Sequence, residues 1–174
     1  MRIYVACLAS YNAGTLHGRW IDASADVDAM QGGIDAMLKA SREPGAEEWA
    51  VHDYDGVPSS LGEYPGLEKI AAFVALCEDF DFLDSDDVAA IVANWCGDLD
   101  QARNALQDDF CGIYPAFRDY ADESADEMIA CLSADGTAPQ FLINHFDYEG
   151  HARDLAFSMT AVDVSTGVAV FHST

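Results

Sequence analysis

The stretch Ile3–Ile21, with the sequence IYVACLASYNAGTLHGRWI, decides the fold of the first part of the chain. Its start, Ile3–Leu8, is a short continuous apolar run, which is typical of a β-strand buried on both faces. Asn12–Gly14 contains residues that favour a turn, and Leu16–Ile21 has the pattern of a second strand. The stretch therefore predicts a β-hairpin.

A helix and a third strand are predicted to follow this hairpin. Apolar residues recur at helical spacing from Val27 to Leu38. Gly32-Gly33 interrupts that helix, and each Gly disfavours helix by about 1 kcal/mol relative to Ala. Close packing of the helix on the sheet is one reason to tolerate the pair. With Glu48–Asp53 as the third strand, residues 1–62 are expected to form a small α+β domain.

Residues 63–105 have the pattern of a helical middle domain. Asp84 or Ser85 is expected to cap its second helix, and Gly97 to end that helix. Because the connections are short, the helices are expected to pack as antiparallel neighbours. Three apolar stripes at spacings of three and four define the helices: Leu67, Ile70, Val74 and Cys77; Val88, Ile91, Val92 and Trp95; and Leu99, Ala102, Leu106 and Phe110.

Residues 106–174 are predicted to place helices on a second small sheet. Ala116–Cys131 and Asp147–Ser158 have helical patterns, and the first of them is acidic. Met159–Val164 and Val168–Phe171 flank a turn sequence and predict a β-hairpin. The fold class is therefore α+β, in three small domains with an acidic surface.

The net charge is the most unusual property of the chain. It contains 31 Asp and Glu against 8 Lys and Arg, for a formal net charge of -23. Solubility requires a net charge of only about 2 to 8 in a small domain. Apolar residues make up 51% of the chain, which argues against a disordered acidic tail. Eight basic residues are too few for a DNA- or RNA-binding face.

This charge has the size of a DNA ligand. Duplex DNA carries about one negative charge per 1.7 Å of its axis, so 23 charges correspond to about 12 base pairs, or about 40 Å of duplex. A chain with this charge is therefore suited to replace DNA in a basic groove.

The acids concentrate in one third of the chain. Between Glu78 and Asp135 there are 16 acids and two bases, Arg103 and Arg118. Several acids recur at spacings of three and four, which places them along one side of a helix. The candidate partner-binding residues are Asp79, Asp81, Asp84, Asp86, Asp87, Asp98, Asp100, Asp108, Asp109, Asp119, Asp122, Glu123, Asp126 and Glu127.

Salt adaptation and metal binding would also produce an excess of acids. A salt-adapted host would make its proteins acidic, and metal sites would use some carboxylates. Asp79–Asp87 invites a calcium interpretation, but the Gly and Glu that a helix-loop-helix calcium loop needs are replaced by Asp84 and Ala90. His145–His151 matches no closed zinc site, so a surface or helix-start cluster is favoured there.

Enzymatic chemistry finds little support in the motifs. The sequence contains no phosphate-binding loop, dinucleotide-binding Gly motif or nucleophile elbow. Its five Cys lie in apolar contexts without a CxxC pair, which favours buried free thiols in a reducing compartment. No signal peptide or membrane span is indicated. We expect a cytoplasmic protein that is not an enzyme, uses no cofactor or metal and binds neither nucleic acid nor membrane.

Three stretches resemble the antirestriction protein family ArdA. Tyr4–Asp22 is similar to its amino-terminal signature, and Glu47–Gly56 to its second. Phe146–Glu149, together with Ala152–Leu155, resembles its carboxy-terminal signature. The order of the three is preserved across nearly the whole chain. The chain departs from the family at Gly150-His151, where a bulkier residue is expected, and a Gly inside a helix weakens it.

The resemblance implies a fold and a function. It implies an elongated chain of three small domains in a curved row, paired as a homodimer through the carboxy-terminal domain. Carboxylates would imitate the phosphates of bent duplex DNA and occupy the DNA groove of type I restriction-modification enzymes, on their specificity and methyltransferase subunits. Family members are typically carried on mobile genetic elements. The alternative is an acidic inhibitor of another DNA-binding protein, such as a repressor or a nucleoid protein.

Three aromatic residues and one arginine in the stretches that resemble the family are expected to have structural roles. Trp20, Trp49, Tyr54 and Arg153 are expected to hold the fold or an interface rather than to contact the target. The carboxylates are the candidates for that contact.

Overall fold

The computed structural model describes residues 1–62, 64–134 and 139–173 of the chain. Close contacts divide it into two compact units, Met1–Leu99 and Asp100–Thr174. The division into domains 1–62, 63–105 and 106–174 stays a prediction. The elements of the first unit are β1 (Arg2–Cys7), α1 (Leu8–Asn12), β2 (Gly18–Asp22), α2 (Val27–Lys39), β3 (Trp49–Asp55), a 3-10 turn (Ser59–Leu61), α3 (Leu67–Asp79) and α4 (Ser85–Asn94).

The remaining elements belong to the second unit, apart from Leu99, the first residue of α5. They are α5 (Leu99–Asn104), a π-helical turn (Ala105–Asp109), β4 (Phe110–Tyr114), α6 (Phe117–Ala134), α7 (Gln140–Ile143), α8 (Tyr148–Leu155), β5 (Met159–Val164) and β6 (Gly167–His172). The mixed α and β character predicted from the sequence is confirmed. In the described part of the chain, no helix is long and apolar enough to cross a membrane.

The predicted amino-terminal hairpin is confirmed and extended by a third strand. The sheet has the order β2-β1-β3, and both pairs are antiparallel. Ile3 lies opposite Ile21 on one side and opposite Tyr54 on the other. The second strand starts at Gly18 rather than Leu16, and the connection before it contains α1, which the sequence pattern did not predict.

Helix α2 covers one face of this sheet and begins with a side-chain cap. Oδ1 of Asp26 accepts hydrogen bonds from the backbone N of Asp28 and Ala29, at 2.9 and 3.3 Å. A Cβ on Gly33 would lie 3.2 Å from Cγ2 of Ile21, whereas one on Gly32 would meet nothing within 4 Å. Close packing of the helix on the sheet, which the Gly pair suggested, therefore holds for Gly33.

The apolar core of the first unit extends into the segment predicted to be a separate helical domain. Ile3, Val5 and Ile34 form one buried cluster with Leu67 and Ile70 of α3. The sheet, α2 and α3 thus share one core. This sharing explains why the contacts do not separate the chain after residue 62.

The end of α4 is a Schellman turn with a cysteine at its left-handed position. The backbone N of Gly97 donates to the carbonyl O of Val92 at 2.9 Å, and that of Cys96 donates to Ala93 at 3.0 Å. Cys96 has φ 54°, a region where glycine is usual. Gly97 was expected to end this helix. The helix ends earlier, at Asn94, and Gly97 is the residue after the left-handed Cys96.

We expect the substitution Cys96→Gly to raise the free energy of unfolding by about 1 kcal/mol, because a non-glycine residue in this conformation is disfavoured by about 1 to 2 kcal/mol. Cys96→Ala keeps the Cβ and is the matched control, since it changes the side chain without relieving the backbone. Urea denaturation followed by circular dichroism measures both. Equal stabilisation by Ala and Gly would contradict the backbone explanation.

The second unit contains the predicted carboxy-terminal hairpin. It also contains a strand, β4, whose first residue was wrongly predicted to be helical. Its sheet has the order β4-β6-β5, with Ile113 opposite Ala169. Phe110, placed on a helical stripe by its spacing from Leu106, is the first residue of β4. Its ring lies 5.4 Å from that of Phe171 across the sheet. Pairing with β6 overrides the local helical spacing.

The cysteines are free, but they are not all buried as predicted. Cys7 is buried, Cys77 and Cys111 are half-buried, and Cys96 and Cys131 are exposed. Cys96 is exposed because it lies in the turn after α4 rather than on its apolar face. Cys131 lies near the end of α6, where neighbouring Leu132 is also 43% exposed.

Candidate acidic surface for a partner protein

Acidic residues of the first unit cluster where α3 ends and α4 begins. Phe80 and Leu83 are buried at 8% and 6% exposure, and they anchor this connection to the core. The backbone N of Leu83 donates to the carbonyl O of Phe80 at 2.9 Å, which closes a turn. We call the exposed acids of this connection the α3–α4 acidic segment: Glu78, Asp79, Asp81, Asp84 and Asp86.

The acids at the start of α4 lie where a helix favours negative charge. Asp84 occupies the N-cap position, although its side chain makes no capping hydrogen bond. Asp86 lies in the first turn, where the helix dipole stabilises negative charge. Glu78 and Asp79 lie at the opposite kind of terminus, the end of α3, where negative charge is unfavourable. The helix dipole therefore does not explain the acids at the end of α3.

Asp87 is a correction to the predicted surface. It is 4% exposed, so it does not present its carboxylate to a partner. The sequence interpretation placed it off the apolar face of α4, but Asp87 precedes Ile91 by four residues and therefore lies on the same face. Its position in the first turn favours the negative charge there. The spacing to Ile91 was the signal that could have revealed its burial.

The acids around α5 are mostly exposed. Asp98 in the first unit and Asp100 and Asp108 in the second are exposed, whereas Asp109 is half-buried. Asp135 lies outside the described residues. Eleven of the fourteen candidate acids are exposed, two are half-buried and one is buried.

Helix α6 carries the longest row of acids. Ala121 and Ala125 face the interior at 1% and 0% exposure. Asp119, Glu123 and Glu127 are exposed and follow one another at spacings of four, so they lie along one side of the helix. We call these three the α6 acidic row. Like charges at this spacing destabilise a helix by a few tenths of a kcal/mol per pair, so the row opposes local stability.

Two other α6 acids hold the neighbouring helix α8 instead. Arg118 donates from Nε to Oδ1 of Asp122 and from Nη1 to Oε1 of Glu149, each at 2.6 Å. The hydroxyl of Tyr148 donates to Oδ1 of Asp126 at 2.6 Å. These contacts raise the pKa of Arg118, through its bonds to Glu149 and Asp122, and the pKa of Tyr148, through its bond to Asp126.

The structure thus separates acids that the spacing treated alike. Asp122 and Asp126 fall at the same helical intervals as the α6 acidic row, but they have partners on the chain itself. Sequence reasoning missed the pairing of Arg118 with Asp122, which their spacing of four residues could have revealed. It also missed the contacts of Arg118 with Glu149 and of Tyr148 with Asp126, because these residues are 31 and 22 apart and no local pattern connects them.

Half-buried tyrosine and cysteine side chains have raised pKa values, mainly through burial and secondarily through nearby ionisable groups. Burial, followed by the charge of Glu78, raises the pKa of Cys77 to about 11. Burial is also the main cause that raises the pKa of Tyr120 to about 12, with smaller contributions from Cys111, Tyr114 and Glu127. The pKa of Tyr114 rises through burial and the charges of Glu123, Cys111 and Glu127.

These shifts predict a loss of stability in alkaline solution. A group whose pKa is higher in the folded state stabilises the fold fully below its unfolded pKa, and this stabilisation disappears as the pH rises through the folded value. For Cys77 and Tyr120 this window runs from the ordinary values of 9.0 and 10.0 to about 11 and about 12.

We therefore expect the urea concentration at the midpoint of unfolding to decrease as the pH is raised from about 9 to about 12. Tyr120→Phe should reduce the slope of this decline, because Phe has no proton to lose. Tyr11→Phe is the matched control, since Tyr11 is 56% exposed. An unchanged slope in Tyr120→Phe would contradict the assignment.

The cluster at His145–His151 is the start of a helix, as favoured from the sequence. Asp147 is the N-cap of α8, and its Oδ1 accepts from the backbone N of Gly150 at 2.9 Å. A Cβ on residue 150 would lie 2.6 Å from Oδ2 of Asp147. Gly150 therefore admits the capping carboxylate. Within the described residues, no group of three or more His, Cys, Asp or Glu is placed to hold a metal ion.

A comparison with known families identifies the family of the chain. The family model of the antirestriction protein ArdA matches residues 3–170 of the 174. No curated protein matches the chain significantly. The match spans both sheets and every acid on the α3–α4 acidic segment and the α6 acidic row. The chain belongs to the ArdA family of antirestriction proteins.

Proposed function

We propose that this antirestriction protein acts by imitating the charge of bent duplex DNA. Its carboxylates take the place of phosphates against Lys and Arg in the DNA groove of a type I restriction-modification enzyme, on the specificity and methyltransferase subunits. The observation that carries the proposal is the exposure of eleven acids in a chain with a net charge of -23. The inhibitor blocks access and performs no chemistry on its target.

The position of the acids supports a binding role over a structural one. The α6 acidic row and the acids at the end of α3 both lie where they oppose helix stability. Ordinary solvated helix faces mix charges of both signs, and basic partners are almost absent from this part of the sequence. Binding to a partner with a basic groove would explain why the α6 acidic row and the acids at the end of α3 lie where they lower helix stability.

The same electrostatics sets how the complex forms. Complementary charge accelerates encounter and is screened by salt, with a Debye length of about 8 Å at physiological ionic strength. Each exposed ion pair contributes only about 0 to 1 kcal/mol, so many pairs must act together. Because type I enzymes act on DNA in the cytoplasm, the proposal places the protein there, and its gene on the incoming mobile element.

We further propose a homodimer formed through the second unit. Four large apolar side chains of that unit are exposed, and a dimer interface would bury apolar surface of this kind. They are Met128, Leu132, Phe141 and Phe157, with exposed fractions of 41%, 43%, 66% and 86%. A symmetric dimer doubles the charge presented to the target.

The proposal is tested by titrating the purified protein into a type I enzyme and its unmodified DNA, with cleavage as the readout. We expect stoichiometric inhibition that weakens steeply as salt rises from about 50 to 200 mM, because a DNA-like ligand competes through screened charges. Excess DNA should also relieve it. Failure of folded protein to inhibit any of several type I enzymes would refute the proposal and direct attention to repressors or nucleoid proteins.

A further inference from the structure

The first sheet has a second face, opposite the one that packs on the apolar core. Side chains alternate between the two faces of a strand, so Ile3 and Val5 lie in the core whereas Arg2 and Tyr4 lie on the other face. The strand pairing places further residues beside them. We call the whole set the open sheet face: Arg2, Tyr4, Trp20, Asp22, Asp53 and Asp55.

The largest side chain of the open sheet face is exposed. Trp20 lies opposite Tyr4 in the strand pairing and is 37% exposed. Trp49 and Tyr54, on β3, instead pack against the buried core cluster. Tryptophan, tyrosine and arginine are the residues that most often dominate binding at protein interfaces, and the open sheet face brings one of each together. The proposed charge mimicry gives the two aromatic rings no role.

Contacts within the face hold the two rings in place. The ring of Tyr4 lies 5.4 Å from that of Trp20, edge to face. A Cβ on Gly18 would lie 2.9 Å from Oη of Tyr4, so the phenol covers that glycine. The guanidinium carbon of Arg2 lies 5.2 Å from the centre of the Trp20 ring, and its Nε donates to Oδ2 of Asp55 at 3.1 Å. Rings that are already ordered lose little conformational freedom when a partner binds.

The face has three carboxylates and one cation, which favours a basic partner. Asp22 and Asp55 lie opposite Arg2, on its two neighbouring strands. Asp53 lies opposite Tyr4 instead, and directly opposed residues of an antiparallel pair have Cβ atoms about 4.5 to 5.5 Å apart. Oδ1 of Asp53 accepts from the backbone N of the next residue at 2.8 Å. An ionised carboxylate has about four acceptor sites, so Asp53 can accept from a further donor.

We propose that the open sheet face binds an arginine side chain of a partner protein, with the guanidinium lying on the rings of Tyr4 and Trp20 and pairing with Asp53. The face already combines a ring and a carboxylate around one guanidinium, because Arg2 lies over Trp20 and binds Asp55. Arginine is favoured over lysine, since its planar and weakly hydrated guanidinium stacks on aromatic rings while it pairs with a carboxylate.

The identity of the partner rests on the proposed function. The DNA groove of a restriction enzyme presents Arg and Lys to phosphates, and one arginine of that groove would bind the open sheet face. The sequence interpretation expected Trp20 to hold the fold or an interface, and the proposal gives it a contact with the target. A cation that is desolvated on aromatic rings contributes more than an exposed ion pair and is screened less by salt.

A small probe tests the face without the target. We expect Nα-acetyl-argininamide, titrated into isotope-labelled protein, to shift the indole N–H signal of Trp20 saturably and to leave that of Trp49, on the core side of the sheet, unchanged. The lysine analogue should bind at least about threefold more weakly, and the uncharged citrulline analogue should not bind. Asp53→Asn should weaken binding at least about threefold. Glu47→Gln removes an exposed acid that precedes β3 and should leave binding within about twofold.

Three results of this titration would each overturn the site. They are an equal shift of the Trp49 signal, equal binding of the citrulline analogue, and unchanged binding by Asp53→Asn.

The inhibition assay then tests the source of the arginine. We expect Trp20→Ala to weaken inhibition at least about tenfold at every salt concentration, because the ring has no net charge and its loss leaves the salt dependence unchanged. Tyr64→Ala removes a ring that is 78% exposed and lies off the face, and it should inhibit within about twofold of the unsubstituted protein. Circular dichroism checks that both variants fold. Asp53→Asn should weaken inhibition at least about tenfold and Glu47→Gln less than about fivefold, and this pair decides if Trp20→Ala does not fold.

The outcomes separate the two proposals. If the unsubstituted protein inhibits and folded Trp20→Ala inhibits equally well, the arginine contact with the enzyme is wrong and charge mimicry stands. If the unsubstituted protein inhibits no enzyme, charge mimicry fails and so does the enzyme as the source of the arginine, whereas selective probe binding still supports the site.

Discussion

Neutralising six exposed acids together is expected to weaken inhibition of the target enzyme by about 100-fold. Each exposed pair contributes about 0.5 kcal/mol, so six contribute about 3 kcal/mol, whereas any one substitution should change inhibition by less than about fivefold. The fold should persist, because removing like charges from α6 relieves repulsion. The six substitutions convert Asp81, Asp84, Asp86, Asp119, Glu123 and Glu127 to their amides.

A second variant with the same change in net charge provides the control. It converts six exposed acids that lie elsewhere: Asp22, Asp35, Glu47, Glu48, Asp154 and Asp163. If position matters, this variant should inhibit at least tenfold better than the first. Equal loss in both variants would show that only total charge matters, and complete loss from one substitution would contradict a distributed contact.

The substitution Gly97→Ala is expected to lower the free energy of unfolding of the first unit by about 3 kcal/mol. Gly97 has φ 79°, which disfavours any residue with a Cβ by about 1 kcal/mol or more. A Cβ there would also overlap the carbonyl O of Ser60, so the backbone must shift. Strain of this kind contributes about 1 to 3 kcal/mol more.

Gly45→Ala separates the two contributions. Gly45 has φ 75°, but a Cβ there would meet nothing within 4 Å. We expect that variant to lose only about 1 kcal/mol, in urea denaturation followed by circular dichroism. Equal destabilisation of the two variants would show that the approach of Ser60 to Gly97 adds no strain.

The amino-terminal hairpin, α2 and the β5-β6 hairpin were predictable because each is a local pattern. Ile3–Leu8 and Met159–Val164 contain their own strand signals, and the turn residues between strands are adjacent in sequence. Phe110 shows where this fails. Its spacing from Leu106 suits a helix, and only pairing with Phe171, far along the chain, makes it a strand.

The candidate site divides in the same way. The number of acids and their grouping between Glu78 and Asp135 follow from composition alone. The burial of Asp87 depends on which helix face meets the core, and the contacts of Arg118 with Glu149 and of Tyr148 with Asp126 depend on which helix lies beside α6. A single sequence predicts such burial only where residue spacing places two residues on the same helix face, as it does for Asp87 and Ile91.

The sequence by itself determined the charge, the α+β class, the local helices and hairpins and the family resemblance, because these properties belong to neighbouring residues or to the sum of all residues. Tertiary structure alone decided which carboxylates remain exposed, that α3 shares a core with the first sheet, and that Glu149 pairs with Arg118. The physical reason is that burial and pairing are set by contacts between residues distant in the chain.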